Sequence, residues 1–477
     1  MKPALKSYPL RIYLVALVIR LVPVFLTIDF GIGLDDMFQY DMLARSMAAG
    51  QGYRWYGEED LALIERYFPL DFFEGDYDPR GVLTSFRPPG YPFFLALVYF
   101  IGGLEKRFFI ARLVQAFIGA SLAPLTYALT RRLFPEHEKA ARFAAIALAV
   151  YPFLAVFCLG LATENTFIPL LLGAVVMLLK AGESHRTRDY VFAGALLGIA
   201  SLTRSVVSAI IPFTILWAWF YAKDKRAALI IPVCVLVFTA PWSIRNTRLH
   251  GKFYYIESAL GYDLHQGYHP ESLGTFQYGI SLELMPYMDD AERDEIGMDL
   301  ALGYIRDDPG RVPELMVRKL GYFFSLERRA LTYFYSNNLV GYIPPPWFTV
   351  VFLIFTLPFV AVICSAAMAL PFLPWNKNSI LVGMVTFGYI APHILILAEP
   401  RFHLAMVPFF AALAGYTWAN WGSIWAQAKT QKGRWLFALG CVMVALLFLN
   451  WGLGLWRDAD KLALLFGLEG NVAHFPY

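Results

Sequence analysis

Residues Tyr91–Gly103 read YPFFLALVYFIGG, and the placement of this stretch decides the topology of the whole chain. It is apolar throughout, yet its 13 residues fall short of the about 20 that a membrane-spanning helix needs. Pro88 and Pro89 stand just before it and disfavour helix in the residues that precede them. Counting it as a crossing would also place Arg131 and Arg132 outside, against the tendency of basic residues to stay on the cytoplasmic side. The stretch is therefore expected to form a helix at the outer interface, or one that dips in without crossing.

With that parity fixed, eleven spans are expected, near residues 10–28, 109–130, 142–160, 164–180, 190–204, 206–221, 227–241, 347–373, 379–397, 404–421 and 435–455. Basic clusters mark their cytoplasmic ends: Arg131/Arg132/Lys139/Arg142, Lys180/Arg186/Arg188, Lys223/Lys225/Arg226 and Lys429/Lys432/Arg434. Lys2, Lys6 and Arg11 precede an apolar run to Ile28 with no small-residue cleavage site, which reads as an uncleaved first span with its N-terminus inside. The composition agrees. Of 477 residues 58% are hydrophobic and 16% charged, whereas a soluble protein carries about 25% charge. So little charge excludes a soluble protein. The net charge of +3 comes with basic residues clustered between apolar runs, a pattern of topology signals rather than of a nucleic-acid surface. Cys158, Cys234, Cys364 and Cys441 all lie in apolar segments, which indicates neither a disulfide framework nor a zinc site.

The expected fold class is an all-α polytopic membrane protein with two long external loops that carry juxtamembrane helices. The loops run from about 29 to 108 and from about 242 to 345, the second holding Pro286, Pro309, Pro313 and Pro344–Pro346. Three units follow: an N-terminal transmembrane module over 1–241, an external region over 242–345 and a C-terminal transmembrane module over 346–477. No internal repeat is found. Most of the polar sequence lies on the external face, so the chemistry is expected there.

Five clusters could carry it. Leu34–Arg45 (LDDMFQYDMLAR) follows the first span directly. Adjacent acids at a low-dielectric boundary raise each other's pKa, which suits Asp35 or Asp36 to general-base work. Asp36 and Tyr40 share a helix face that Asp35 could cap; a capped interfacial helix with solvated acids fits the same residues. Ser85–Pro92 (SFRPPGYP) fixes Arg87 before a helix, where a guanidinium can take a phosphate or snorkel to lipid headgroups. In Leu161–Asn165 (LATEN), Glu164 is costly between two apolar helices unless it is used, although the same pattern suits a helix N-terminus. Ala240–Asn246 (APWSIRN) leads to Gly261–Tyr268 (GYDLHQGY), whose Arg245, Asn246, Tyr262, Asp263 and His265 suit sugar recognition or the aromatic belt of a membrane interface. Glu399–His403 (EPRFH) supplies Glu399 and a second phosphate candidate, Arg401, with Arg204 a third. No metal-ligand spacing, phosphate loop, dinucleotide fingerprint or nucleophile elbow is present.

Taken in order, DDMFQYDMLARSMAAGQGY, RPPGYPFFLALVY, ARLVQAFIGASLAPLTYALTRRLF, LATENTFIPLLL, GALLGIASLTR, PWSIRN with GYDLHQGYHPESLGTF, and EPRFHLAMVPFFAALAGY resemble the GT-C superfamily of membrane glycosyltransferases. The nearest likeness is to the bacterial protein O-mannosyltransferase-like group, which includes the lipid A aminoarabinose transferase. The resemblance implies a GT-C fold with the catalytic acid in the first external loop, a polyprenyl-phosphate-linked sugar as donor and inverting direct displacement. It implies Asp36 as base with Asp35 as the nearby alternative, Glu164 in support, and Arg87, Arg401 and Arg204 on the donor phosphate. Tyr40, Arg245, Asn246, Tyr262, Asp263, His265 and Glu399 are then expected to bind sugar or acceptor. Asp263 stands where many relatives have Asn. The implied partners are the lipid-linked donor, a glycan, lipid or protein acceptor, and the bilayer, with no nucleic acid, cofactor or metal. The implied location is the bacterial inner membrane with the site facing the periplasm. A transporter or flippase of lipid-linked sugars is the alternative. It would place ionisable groups at mid-membrane and commonly shows repeats, whereas the candidate acids and arginines here sit at outer helix ends and Arg20 is the main charge deep in a span. A subunit that only binds polyprenyl phosphate would keep Arg87 and Arg401 without needing Asp36.

Overall fold

The structure, a computed structural model, describes residues 7–33, 35–66, 77–328 and 342–467; Lys2, Lys6 and Leu34 lie outside the described residues. Among these, the single pair of strands is a short antiparallel ladder, β1 (Arg54–Trp55) and β2 (Val82–Leu83), registered Arg54 to Leu83. Everything else regular is helix: α1 (Tyr8–Leu26), α2 (Asp36–Ala48), α3 (Glu58–Ile64), α4 (Gly90–Gly102), α5 (Arg107–Ala120), α6 (Leu122–Leu133), α7 (Glu138–Val150), α8 (Pro152–Val156), α9 (Glu164–Ser184), α10 (Thr187–Thr203), α11 (Ile211–Leu216), α12 (Lys225–His250), α13 (Leu260–Tyr268), α14 (Tyr278–Leu282), α15 (Asp290–Asp307) and α16 (Arg311–Phe323). The C-terminal part adds α17 (Pro345–Ala369), α18 (Lys377–Leu395), α19 (Val407–Ala428), α20 (Gln431–Arg457) and α21 (Ala459–Leu465).

The chain is a multi-pass membrane protein. Among the described residues eight helices are long and apolar enough to cross a bilayer, and the bent pair Glu138–Val150 plus Pro152–Leu159 makes a ninth when taken as one span. The expected count of eleven is thus not reached by length and composition. The two remaining segments are helical but fall short. α10 has 17 residues, with Arg188 and Asp189 in its first turn and Arg204 at its end. Ser205–Tyr221 changes from 3-10 to α to π helix along its length around Pro212.

α9 and the span Phe402–Ala428 form the centre, with most of their length buried, while α20 lies at the edge with 11% of its span buried. Between them sits one apolar core that includes Leu171, Val175 and Leu178 of α9, Phe409 and Ala412 of α19, and Tyr389 of α18. The ninth span breaks at Tyr151, whose extended backbone precedes Pro152 and bends the two halves by 49°. Buried Arg20 answers the break from α1. Its guanidinium donates to the carbonyls of Leu148 and Ala149, in the last turn of α7, and to Ala16 of its own helix.

As the sequence predicts, the Tyr91–Gly103 stretch forms a short helix, α4, of 13 residues from Gly90 to Gly102, with Gly103 as its C-cap. One face packs on α2 through Tyr91, Leu95 and Tyr99, and the other leaves Phe93, Leu97, Phe100 and Ile101 exposed. An apolar outer face of this kind suits lipid.

Candidate functional site

Asp36 is the first residue of α2. Asp35 stands before it as N-cap and accepts the Met37 amide at 2.8 Å, which satisfies a donor that a helix start leaves open. The two neighbouring acids thereby separate in role: Asp35 faces solvent as a cap, while Asp36 turns inward. α2 is anchored by Asp41, fully buried, which binds Arg45 at 2.8 Å one turn on, Arg107 at the start of α5 at 2.8 Å, and the Tyr99 hydroxyl of α4 at 2.9 Å.

Two guanidiniums close on the Asp36 carboxylate. Arg87 Nη2 reaches Oδ1 at 2.6 Å and Arg401 Nη2 reaches Oδ2 at 2.5 Å. Arg87 also donates to Gln39 Oε1 from Nε at 2.9 Å and from Nη2 at 2.6 Å, and it lies 5.7 Å from the ring centre of buried Tyr40. Burial is the largest effect and works against the charge on both arginines, but Asp36 together with the other acidic groups nearby, Asp263 and Glu257 for Arg87 and Glu164 for Arg401, holds them above the ordinary guanidinium value. Burial also raises the Tyr40 hydroxyl to about 12. Arg401 keeps a buried Nε that has no hydrogen-bond partner among the described residues.

The loop that carries Arg87 is held by its backbone. The Tyr53 hydroxyl donates to the carbonyls of Arg87 at 2.9 Å and Pro88 at 3.2 Å. Asp290, at the start of α15, accepts from Thr84 Oγ1 at 2.6 Å and the Ser85 amide at 2.7 Å. Gly81 is required at the ladder turn: its φ of +93° favours glycine, and a Cβ would lie 2.3 Å from the Trp55 carbonyl oxygen.

A second acid–base pair sits next to the first. Glu164, at the start of α9 and 4% exposed, binds Arg204 Nη1 at 2.9 Å and accepts the Thr163 hydroxyl at 3.1 Å. Arg204 lies 4.4 Å over the Phe402 ring, beside Arg401 in sequence, and Arg401 acts electrostatically on Glu164. Asp263, on the first turn of α13, and Glu257 face Arg87 and Arg204 from the second loop. Burial, then Glu257, pushes the Asp263 carboxyl up to about 7; burial raises Glu257 as well, although the Ser205 hydroxyl donates to it. Tyr262 packs edge-on against Phe86, next to Arg87.

The structure therefore gathers Asp36, Arg87, Arg401, Tyr40, Glu164, Arg204, Tyr262 and Asp263 in one place. Others of the expected residues are engaged elsewhere. Asn246, fully buried, donates from Nδ2 to Ile256 O at 2.9 Å, and Arg245 donates to Thr84 O at 2.6 Å and to Asn246 Oδ1. Both hold loop backbone. His265 is buried 3.2 Å from Glu283, and Glu399 receives the Thr275 hydroxyl and the Phe276 amide, both at 3.1 Å. Two members were missing from the sequence reading. Gln39 had a signal, three residues from Asp36 on the same helix; Glu257 had none, because its partner Ser205 is 52 residues away. Among the described residues no group of three or more His, Cys, Asp or Glu side chains could hold a metal ion.

Residues 86–244 match the family model described as dolichyl-phosphate-mannose-protein mannosyltransferase. The matched third of the chain includes Arg87, Glu164 and Arg204, and the resemblance read from the motifs is borne out over it. No curated protein sequence matches the chain. Among solved structures, the chain is similar to the Archaeoglobus fulgidus oligosaccharyltransferase in the apo form, at 14% identity and a TM-score of 0.49, covering 98% of this chain and 59% of that one. The complex of that protein, AglB, with an inhibitory peptide and a dolichol-phosphate gives 15% identity, a TM-score of 0.48 and coverage of 98% and 59%. ArnT from Cupriavidus metallidurans, bound to undecaprenyl phosphate, gives 16% identity, a TM-score of 0.39 and coverage of 87% and 78%. The chain thus spans less than two thirds of the length of the archaeal protein.

Proposed function

We propose that the protein is a glycosyltransferase that moves a sugar from a polyprenyl-phosphate donor to an acceptor at the external face of the membrane. The observation that carries this reading is a single carboxylate, Asp36, held between two guanidiniums beside a second buried acid–arginine pair. Such a group of residues supplies both needs of the reaction. Asp36 takes the proton from an acceptor hydroxyl or amine as the acceptor atom bonds to the anomeric carbon. The bond from that carbon to the phosphate oxygen breaks, and polyprenyl phosphate leaves with one more negative charge than it had in the donor. Arg87 and Arg401 meet that growing charge, Arg401 with an Nε that is already desolvated. In-line displacement inverts the anomeric centre. Glu164 and Arg204 orient the reactants, and Asp263 and Tyr262 border the sugar. The family match across Arg87, Glu164 and Arg204 supports the reading, as do the basic clusters that put the long loops outside.

The test uses purified protein in lipid nanodiscs with a panel of polyprenyl-phosphate sugars, starting with mannose, and hydroxyl and amine acceptors. Wild type is expected to release polyprenyl phosphate and form glycosylated acceptor. Asp36→Asn is expected to bind farnesyl phosphate as wild type does and to lose transfer by about 10²–10⁴-fold, the range for a general base. Full transfer by that variant would move the base to Asp35 or Glu164. Sugar that crosses liposomes without covalent transfer would replace the reading with transport.

A further inference from the structure

The motif ARLVQAFIGA carries two polar side chains, Arg112 and Gln115, that lie outside the site described above. They sit about one turn apart on α5 and are buried, 2% and 0% exposed. Arg112 spreads its guanidinium over three carbonyls: Phe30 O from Nη1 at 2.5 Å, Gly31 O from Nη2 at 2.6 Å and Leu159 O from Nε at 2.7 Å. Gln115 Nε2 takes the next carbonyls of the second segment, Cys158 O at 2.9 Å and Gly160 O at 3.2 Å. Its Oε1 accepts the Tyr91 hydroxyl at 2.5 Å, and the Tyr91 ring packs edge-on against Tyr40.

These contacts join parts of the chain that are otherwise separate. Phe30 and Gly31 lead into α2 and Asp36, Leu159 and Gly160 lead into α9 and Glu164, and Tyr91 opens α4 behind Arg87. Irregular backbone beside the membrane needs its carbonyls satisfied from within the protein. A rigid planar fork of donors holds two segments in one fixed geometry, whereas the three rotatable donors of a lysine sit on a flexible stem and fix none. We propose that Arg112 and Gln115 are positioning residues that register Asp36 and Glu164 against each other, so that the transfer rate depends on side chains that touch no substrate. The proposal rests on the glycosyl-transfer reading above.

The test compares Arg112→Lys, Gln115→Met and Tyr91→Phe with Asp36→Asn, using the panel donor that wild type turns over fastest. Each positioning variant is expected to lower kcat by about 10–100-fold, the scale of misplacing reacting groups by about an ångström. Farnesyl phosphate binding should stay within about twofold of wild type, because Arg87 is held separately by Tyr53. Unchanged kcat in folded variants while Asp36→Asn is inactive overturns the proposal and leaves glycosyl transfer standing. A fall in kcat matched by an equal fall in farnesyl phosphate affinity also overturns it, by making the pair part of donor binding. Full activity in Asp36→Asn also overturns the proposal, since Asp36 would then not be the group held in register, while wild type that transfers nothing from any panel donor removes the reading beneath it instead. Should Arg112→Lys not fold, Tyr91→Phe, which deletes the hydroxyl that donates to Gln115, and Gln115→Met, which deletes three hydrogen bonds, carry the same thresholds.

Discussion

Removing one or both members of the Glu164–Arg204 pair separates its structural part from its chemical part. Arg204→Met deletes the guanidinium 2.9 Å from a carboxylate that is 4% exposed. At about 4 Å between charge centres and an effective dielectric of about 20, the attraction lost is about 4 kcal/mol. That agrees with the about 3–5 kcal/mol typical when one side of a buried pair is removed. Arg401 acts on the same carboxylate and will recover part of it, so about 3 kcal/mol is expected. Glu164→Gln leaves Arg204 over the Phe402 ring and should cost less. The double variant strands no charge and should unfold close to wild type. The assay is thermal unfolding in detergent, read as an order of midpoints: wild type and double variant highest, Glu164→Gln next, Arg204→Met lowest. Transfer is measured on the same samples. A role in orienting reactants requires the double variant to stay at least about 100-fold down, equivalent to about 2.7 kcal/mol of transition-state stabilisation. A stable double variant with full transfer would make the pair structural only. Arg204→Met as stable as wild type would refute the burial argument itself.

Two further outcomes test the supports of the site. A Cβ on Gly90 would lie 2.7 Å from Thr203 Oγ1 and 2.8 Å from the Leu202 carbonyl, and backbone cannot yield there. Gly90→Ala should therefore lift α4 from α10, lower stability by about 1–3 kcal/mol and weaken farnesyl phosphate binding; a variant unchanged in both excludes this crossing as the support of Arg87. Asp263, pushed up to about 7 by burial and Glu257, is protonated in the folded protein at pH values where the unfolded chain has lost that proton. Its stabilising effect is complete below about pH 4 and declines as pH rises to about 7. The unfolding midpoint of Asp263→Asn should thus gain on wild type between pH 5 and pH 8. A constant difference across that range contradicts the assignment.

What the sequence made legible was local or periodic. The length of Tyr91–Gly103 predicted a helix too short to cross, and α4 has those limits within a residue. The i, i+4 spacing put Asp36 and Tyr40 on one face of α2, and Arg87 lies against both. Interface position brought Arg87 and Arg401 to one acid, although 365 residues separate Arg401 from Asp36. The second loop was less readable. Arg245 and Asn246 are polar residues at the outer end of a span, and such residues look alike in sequence whether they face a substrate or a returning backbone. Residues 252–260 fold back along α12 so that Ile256 O takes both Trp242 Nε1 and Asn246 Nδ2, and that return is fixed by tertiary packing. Glu257 enters the site through the same return. The count of eleven spans is not confirmed at α10 and Ser205–Tyr221, where a short helix ends on Arg204 and another changes helix type along its length.

The guanidinium of Arg20 has a consequence for how the chain is assembled. Two of its acceptors, Leu148 and Ala149, follow it by 128 and 129 residues. At about 5–20 residues per second of synthesis, α1 waits on the order of 6–26 seconds before they exist. A central arginine costs a lone helix about 2.5–3.5 kcal/mol on insertion. α1 therefore settles only after the chain through α7 has followed it. It reaches its final depth only when the carbonyls at the break of the Glu138–Leu159 span arrive, which makes α1 a latch that closes on a later part of the chain.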